Sequence, residues 1–223
     1  MRSRFDAEMA KLHTMMIETG ALCESGIASA VKALTEHSGE NARRAIELEE
    51  EVNRRERDIE QLCYTLILRQ QPVARDLRMV SASIKMVTDM ERISDQAADI
   101  AEIALLGNVQ ADGCLDIIRE MSLVCIGMVT DCIDAYVRHD VGLAVKVISD
   151  DDTVDALFNK TKRELAITLI SRFGQAECVI DLLMAAKYLE RIADHAVNIA
   201  EWVIFIETNE RHQKGAPRDH LPG

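Results

Sequence analysis

Apolar residues recur every three to four positions through almost the whole chain. That is the period of helices that each bury one face. The pattern breaks only at short polar or glycine- and proline-containing stretches, so it predicts six long helices at about 4–36, 40–70, 75–106, 114–138, 141–172 and 175–209. His37-Ser38-Gly39 closes the first helix and Gln70-Gln71-Pro72 the second. Gly107-Asn108 closes the third and Asp112-Gly113 precedes the fourth. His139-Asp140 and Phe173-Gly174 mark the later turns. Residues 211–223 are polar and rich in breakers, and are expected to be disordered.

Within this pattern one segment occurs twice. Glu91-Arg92-Ile93-Ser94-Asp95-Gln96-Ala97-Ala98-Asp99-Ile100-Ala101-Glu102 returns as Glu190-Arg191-Ile192-Ala193-Asp194-His195-Ala196-Val197-Asn198-Ile199-Ala200-Glu201, an offset of 99 residues (190 less 91). Upstream, Glu50-Glu51-Val52-Asn53 resembles Asp152-Thr153-Val154-Asp155 at an offset of 102 (155 less 53). The difference of three residues is absorbed between the two motifs, and the Gln-Gln-Pro-Val turn of the first half is a natural place for it. The expected fold class is therefore all-α: two tandem, duplicated three-helix bundles over 1–108 and 109–210.

The repeated segment also carries candidate chemistry. At about 100° per residue, Glu91, Asp95, Asp99 and Glu102 fall near 0°, 40°, 80° and 20°, whereas Met86, Met90, Ile93, Ala97, Ile100 and Ala104 fall on the opposite side. Glu190, Asp194, Asn198 and Glu201 form the same stripe in the second copy. The acids are thus expected on an outer face. A solvated surface is the plain account of such a stripe. Against it, like charges at i,i+4 destabilise a helix, and a helix shaped only for solubility would intersperse Lys or Arg. Both copies also place a second acidic cluster on the preceding helix, Glu49, Glu50 and Glu51 with Asn53, and Asp150, Asp151 and Asp152 with Asp155. Carboxylates from two antiparallel neighbours can converge on a cation, and hard oxygen donors favour magnesium, calcium, manganese or iron.

Composition narrows the classes. Lys and Arg number 26 against 38 Asp and Glu, a net charge of −12, which argues against a nucleic-acid binder using a broad basic face. No apolar run approaches a membrane span, and no signal peptide follows the N-terminal arginines. The six cysteines form no Cys-x-x-Cys pair and read as buried reduced thiols of a cytosolic protein. No histidine has Glu three residues before it, so a ferritin-like di-iron site lacks its ligands. P-loop, Gly-x-Gly-x-x-Gly, His-Glu-x-x-His and Gly-x-Ser-x-Gly motifs are absent. His195 has Gln96 as its counterpart and reads as a surface or satisfied residue rather than a catalyst.

Taken together, Gln70-Gln71-Pro72-Val73-Ala74-Arg75-Asp76-Leu77-Arg78, the two Glu-Arg-Ile-x-Asp repeats ending in Asp/Asn-Ile-Ala-Glu, and Asp151-Asp152-Thr153-Val154-Asp155-Ala156-Leu157 resemble the PhoU family from about residue 4 to 208. The resemblance implies a negative regulator of phosphate uptake and of the phosphate regulon. It implies a cytoplasmic, non-enzymatic, homodimeric adaptor between the ATPase subunit of a phosphate ABC transporter and a phosphate-sensing histidine kinase, meeting the membrane only through these partners. It further implies multinuclear metal ions (iron, manganese, magnesium or zinc) at Glu91, Asp95 and Asp99 and at Glu190, Asp194 and Asn198, with helix-two ligands at Glu50, Asp152 and Asp155. Ser94 and Ala193 stand where the family usually has Gly before the motif Asp, and Asn53 is neutral where Asp155 is acidic. The rival readings are a metal-dependent phosphoester hydrolase, since clustered metals activate water, and a metal-free helical scaffold.

Overall fold

The computed structural model describes residues 2–106, 112–171 and 176–210, which form six helices and no strand. They are α1 (Arg2–Glu36), α2 (Gly39–Gln70), α3 (Ala74–Leu106), α4 (Asp112–Arg138), α5 (Val141–Ser171) and α6 (Ala176–Thr208). The expected helices are present within two residues at each described end. The expected breaks at Gly107-Asn108 and Phe173-Gly174, and the expected disordered tail, lie outside the described residues.

α1–α3 make one bundle and α4–α6 the other. α1 packs on α2 and α3, and α4 on α5 and α6; the two bundles meet where α3 lies against α6 and α1 against α4. α2 and α5 are therefore the outer helices. The core is aliphatic and sulfur-rich: Leu12, Met16, Ile27, Met86, Met90, Ile93 and Ile100 are among its fully buried side chains. Long helices with few aromatics suit it, because Leu, Met and Ala favour the helix while filling an apolar stripe.

The duplication is exact in local geometry. Cys23 Sγ donates to Met90 O (3.4 Å), and Cys125 Sγ to Leu189 O (3.3 Å). His37 (φ 53°) and His139 (φ 58°) both turn the chain through the left-handed region. After each, the backbone closes identically, Ser38 N to Ala33 O at 3.1 Å and Asp140 N to Ala135 O at 3.0 Å. The next helix is then capped by a side chain: Asn41 N donates to Ser38 Oγ (3.3 Å) and Leu143 N to Asp140 Oδ1 (3.0 Å). Each cap satisfies an amide that the first helical turn leaves without a partner. At the α2–α3 turn Gln71 (φ 48°) ends α2 ahead of Pro72, which cannot continue a helix.

Polar ties cross between the bundles. Arg75 Nη2 reaches Glu207 at 2.8 and 2.9 Å, and Arg78 Nε donates to Ile206 O at 3.1 Å. Ser83 Oγ and Tyr136 OH share a buried hydrogen bond of 3.0 Å. All six cysteines are free and buried, as their periodicity suggests.

At the α1–α4 contact a Cβ added to Gly20 would lie 2.8 Å from Ile133 Cγ1, whereas one on Gly127 meets nothing within 4 Å. Ile133 is β-branched and moves little. Gly127→Ala is expected to stabilise by about 1 kcal/mol through helix propensity, a Tm rise of about 2–4 °C, and Gly20→Ala to lower Tm despite the same propensity gain. Ser38→Ala and Asp140→Ala are each expected to cost about 1 kcal/mol. Calorimetry of the four variants checks both statements.

Candidate metal-binding groove

The acidic stripe of α3 is not on an open face. Glu91, Asp95 and Asp99 are half-buried on the floor of a groove between α2 and α6. They lie outside the core, as the helical period predicts, on a face that α2 and α6 flank. The helical period alone assigns α3 one buried side, but α3 packs on its own bundle and on α6 as well. Its buried arc is accordingly wider, taking in Val87, Ser94 and Ala101 besides Met90, Ile93 and Ala97. Only Glu102 is exposed, while its counterpart Glu201 is buried at 6% exposure.

α2 lines the other wall. Its core stripe includes Leu48, Val52 and Ile59; Glu49 and Asn53, each one residue after a core position, and Glu56, four residues after Val52, are half-buried beside α3. Asn53 Nδ2 donates to Glu49 Oε1. Burial raises the pKa of Glu49, Glu56, Glu91, Asp95 and Asp99 above the usual carboxylate range. Like charges add to the rise for four of them: Asp95 and Glu102 act on Glu49, Glu60 on Glu56, Asp95 on Glu91, and Glu102 on Asp99. The opposing basic side chains are Arg92, 3.2 Å from Glu91 Oε2 and 3.3 Å from Asp95 Oδ2, and, from α6, His195 beside Asp95 and Arg191 beside Asp99. Desolvation disfavours each charged carboxylate, and one well-placed arginine does not offset it.

The two copies use their residues differently. In the first, Glu91 Oε2 and Asn53 Oδ1 are buried without a hydrogen-bond partner. Arg92 Nε is near that glutamate oxygen without hydrogen-bond alignment. Glu50 is exposed and approaches Arg54 at 4.0 Å. In the second, Glu190 is paired with Lys187, and Asn198 Nδ2 donates to Asp89 Oδ1 (3.1 Å). Asp194 is half-buried, and Asp152 and Asp155 are exposed. Asp151, the counterpart of Glu49, is instead buried at 3% exposure. Among the described residues no three His, Cys, Asp or Glu side chains are gathered closely enough to hold an ion. The first groove nevertheless fits a hard cation in its chemistry: orphaned oxygens, an excess of carboxylate and partial desolvation.

Three contributors escaped the sequence reading. Glu56 lies within the 49–53–56 spacing beside the α2 core stripe. Asp89 accepts from both Asn198 and His195 Nδ1 (2.9 Å), tying α3 to α6 and satisfying His195. Lys187 stands three residues before Glu190. Only the first had a signal in local periodicity.

The PhoU domain family matches residues 16–104 and again residues 118–203. A phosphate-specific transport system accessory protein PhoU homolog of Pseudomonas putida is 34% identical over 214 residues, covering 94% of this chain and 83% of that protein. One from Synechocystis is 34% identical over 211 residues, covering 94% of each. The crystal structure of PhoU from Pseudomonas aeruginosa superposes with a TM-score of 0.87 at 32% identity, covering 92% of this chain and 100% of that one. The phosphate transport system regulatory protein PhoU from Streptococcus pneumoniae gives 0.85 at 25% identity, covering 94% and 100%. Two domain matches at the positions of the two bundles, with full-length relatives of the same architecture, place this chain in the PhoU family.

Proposed function

We propose that this protein is a phosphate-transport accessory protein that acts as a metal-binding adaptor and negative regulator. In this reading it holds the phosphate regulon off when phosphate is plentiful, by connecting the ATPase subunit of the phosphate ABC transporter to a sensor histidine kinase. The accessory role is supported by the names of its full-length relatives, accessory and regulatory proteins of phosphate transport rather than enzymes. The kinase, the transporter subunit and a second copy of the chain as partners, and a cytoplasmic location, follow from the family resemblance. No helix among the described residues is long and apolar enough to cross a membrane, so contact with the bilayer would run through partners.

The metal part rests on one observation, the half-buried carboxylate groove in which Glu91 Oε2 and Asn53 Oδ1 accept no hydrogen bond. Glu91, Asp95 and Asp99 would hold the ions, with Glu49 and Asn53 opposite and Glu50 outside them; Glu190, Asp194 and Asn198, with Asp152 and Asp155, are the corresponding set in the second repeat. A bound cation would supply charge neutralisation and a link between helices. The chain's own part is to keep α2 and α3 in register and to limit water at the carboxylates. Signal transfer is then a shift between transporter-bound and kinase-bound populations.

Glu91→Gln with Asp95→Asn is expected to lower the metal content of the purified protein, read by elemental mass spectrometry. It is also expected to derepress phosphate-starvation genes in phosphate-rich medium. Unchanged metal content would sink the site; unchanged repression with metal lost would sink its regulatory role. Neutralising a desolvated carboxylate has a second consequence. Glu49→Gln is expected to raise the Tm of the metal-free protein slightly, a small effect because solvent screens a carboxylate that is only partly buried. Because the folded-state pKa of Glu49 is raised, its charge costs stability at neutral pH, and the gain should shrink as pH falls into the range where Glu49 is itself protonated. Scanning calorimetry across pH with chelator present checks the sign.

A further inference from the structure

The two grooves share a backbone but not a charge pattern. The core residues of α2 and α5 superimpose at the offset of 102, Ala42 on Ala144, Ala45 on Val147, Val52 on Val154 and Ile59 on Thr161. Those of α3 and α6 superimpose at 99, Met90 on Leu189, Ile93 on Ile192 and Ala97 on Ala196. In these registers Glu56 corresponds to Phe158, Glu60 to Lys162, and Thr88 to Lys187. At these three positions the first groove thus carries two carboxylates and a hydroxyl, and the second a phenyl ring and two ammonium groups.

Those ammonium groups are held in place. Lys187 Nζ pairs with Glu190 and lies 5.6 Å from the centroid of the Phe158 ring, and Lys162 Nζ lies 4.8 Å from it. Attraction to the ring face and to the carboxylate act on Lys187 together. The first groove offers the reverse: Glu56 and Glu60 raise the local negative charge, and Thr88 brings none. In the second groove Asn198 is committed to Asp89, and Asp151, Asp194 and Glu201 are each engaged as well. Glu190 is hydrogen-bonded by Lys187, whereas Oε2 of its counterpart Glu91 has Arg92 Nε at 3.2 Å but no hydrogen bond.

From this we infer that Lys187, braced by Phe158 and Glu190, is the built-in cation of the second groove, so that divalent metal binds in the first repeat and not at the equivalent site of the second. The inference rests on the metal-binding reading above and deepens it. A fixed ammonium satisfies the carboxylate without an ion, and a metal entering there would have to displace it.

The test is manganese bound by the full chain after equilibrium dialysis, read by elemental mass spectrometry, with helix content checked by circular dichroism. Glu91→Gln is expected to lose most of the bound manganese and Glu190→Gln to lose none. Lys187→Thr, which installs the residue of the first repeat, is expected to add manganese that a further Glu190→Gln removes. Phe158→Glu added to Lys187→Thr should strengthen that gain, and Lys187→Thr alone decides the matter where the double variant fails to fold. Equal losses from Glu91→Gln and Glu190→Gln in the otherwise wild-type chain would overturn the asymmetry while leaving metal binding intact. So would a Lys187→Thr protein that folds and binds no more than wild type. No manganese in any folded variant would overturn the metal reading and this inference with it.

Discussion

The packing of α3 against α6 is the constraint on which the rest depends. Each of these helices also faces two partners within its own bundle, so little of its circumference remains for solvent. A carboxylate on the part of α3 flanked by both α2 and α6 is only partly hydrated, whereas Asp76 and Glu102 on the same helix stay exposed. Glu91, Asp95 and Asp99 are therefore desolvated by the architecture and not by any local pocket. The same packing brings His195 and Arg191 of one repeat to the acids of the other. The electrostatics of each groove are thus shared between the two halves of the chain.

Duplication has preserved the scaffold more strictly than the chemistry. The left-handed histidines, the capped second helices and the thiol-to-carbonyl bonds recur at matching places. These features decide where helices start, stop and touch, and a change in any of them would disturb the fold. The groove walls carry no such obligation. Exchanging Glu56 for Phe158, or Thr88 for Lys187, leaves the core rows untouched, and the two copies have drifted apart there. The tie between Asp89 and His195 likewise has no acid–imidazole twin, since the corresponding positions are Tyr188 and Gln96.

Much of this was legible in the chain. Helix limits follow from Ser38, Pro72 and Asp140, because caps and breakers act within a turn. The two-bundle architecture follows from the repeat. The acidic stripe is visible because 100° per residue gathers Glu91, Asp95 and Asp99. What escaped was what covers that stripe, since the contact between α3 and α6 joins positions about a hundred residues apart. Glu49 and Glu50 illustrate the limit on a smaller scale. They differ by one residue, hence by about 100° around the helix, and only the phase of Leu48 and Val52 against the core decides which one faces the groove. Lys187 was hidden for a related reason: it matters only once α5 is seen beside it.

The buried thiols give the molecule an internal reporter. Burial pushes Cys23 and Cys63 up to about 12, and Cys125 and Cys132 are shifted the same way. Because the thiolate is the reacting species, a folded chain presents almost nothing to an alkylating reagent. These four lie on α1, α2 and α4. Each labelling event therefore requires a helix to leave its bundle, and the order in which the sulfurs are captured traces the order in which the two halves come apart.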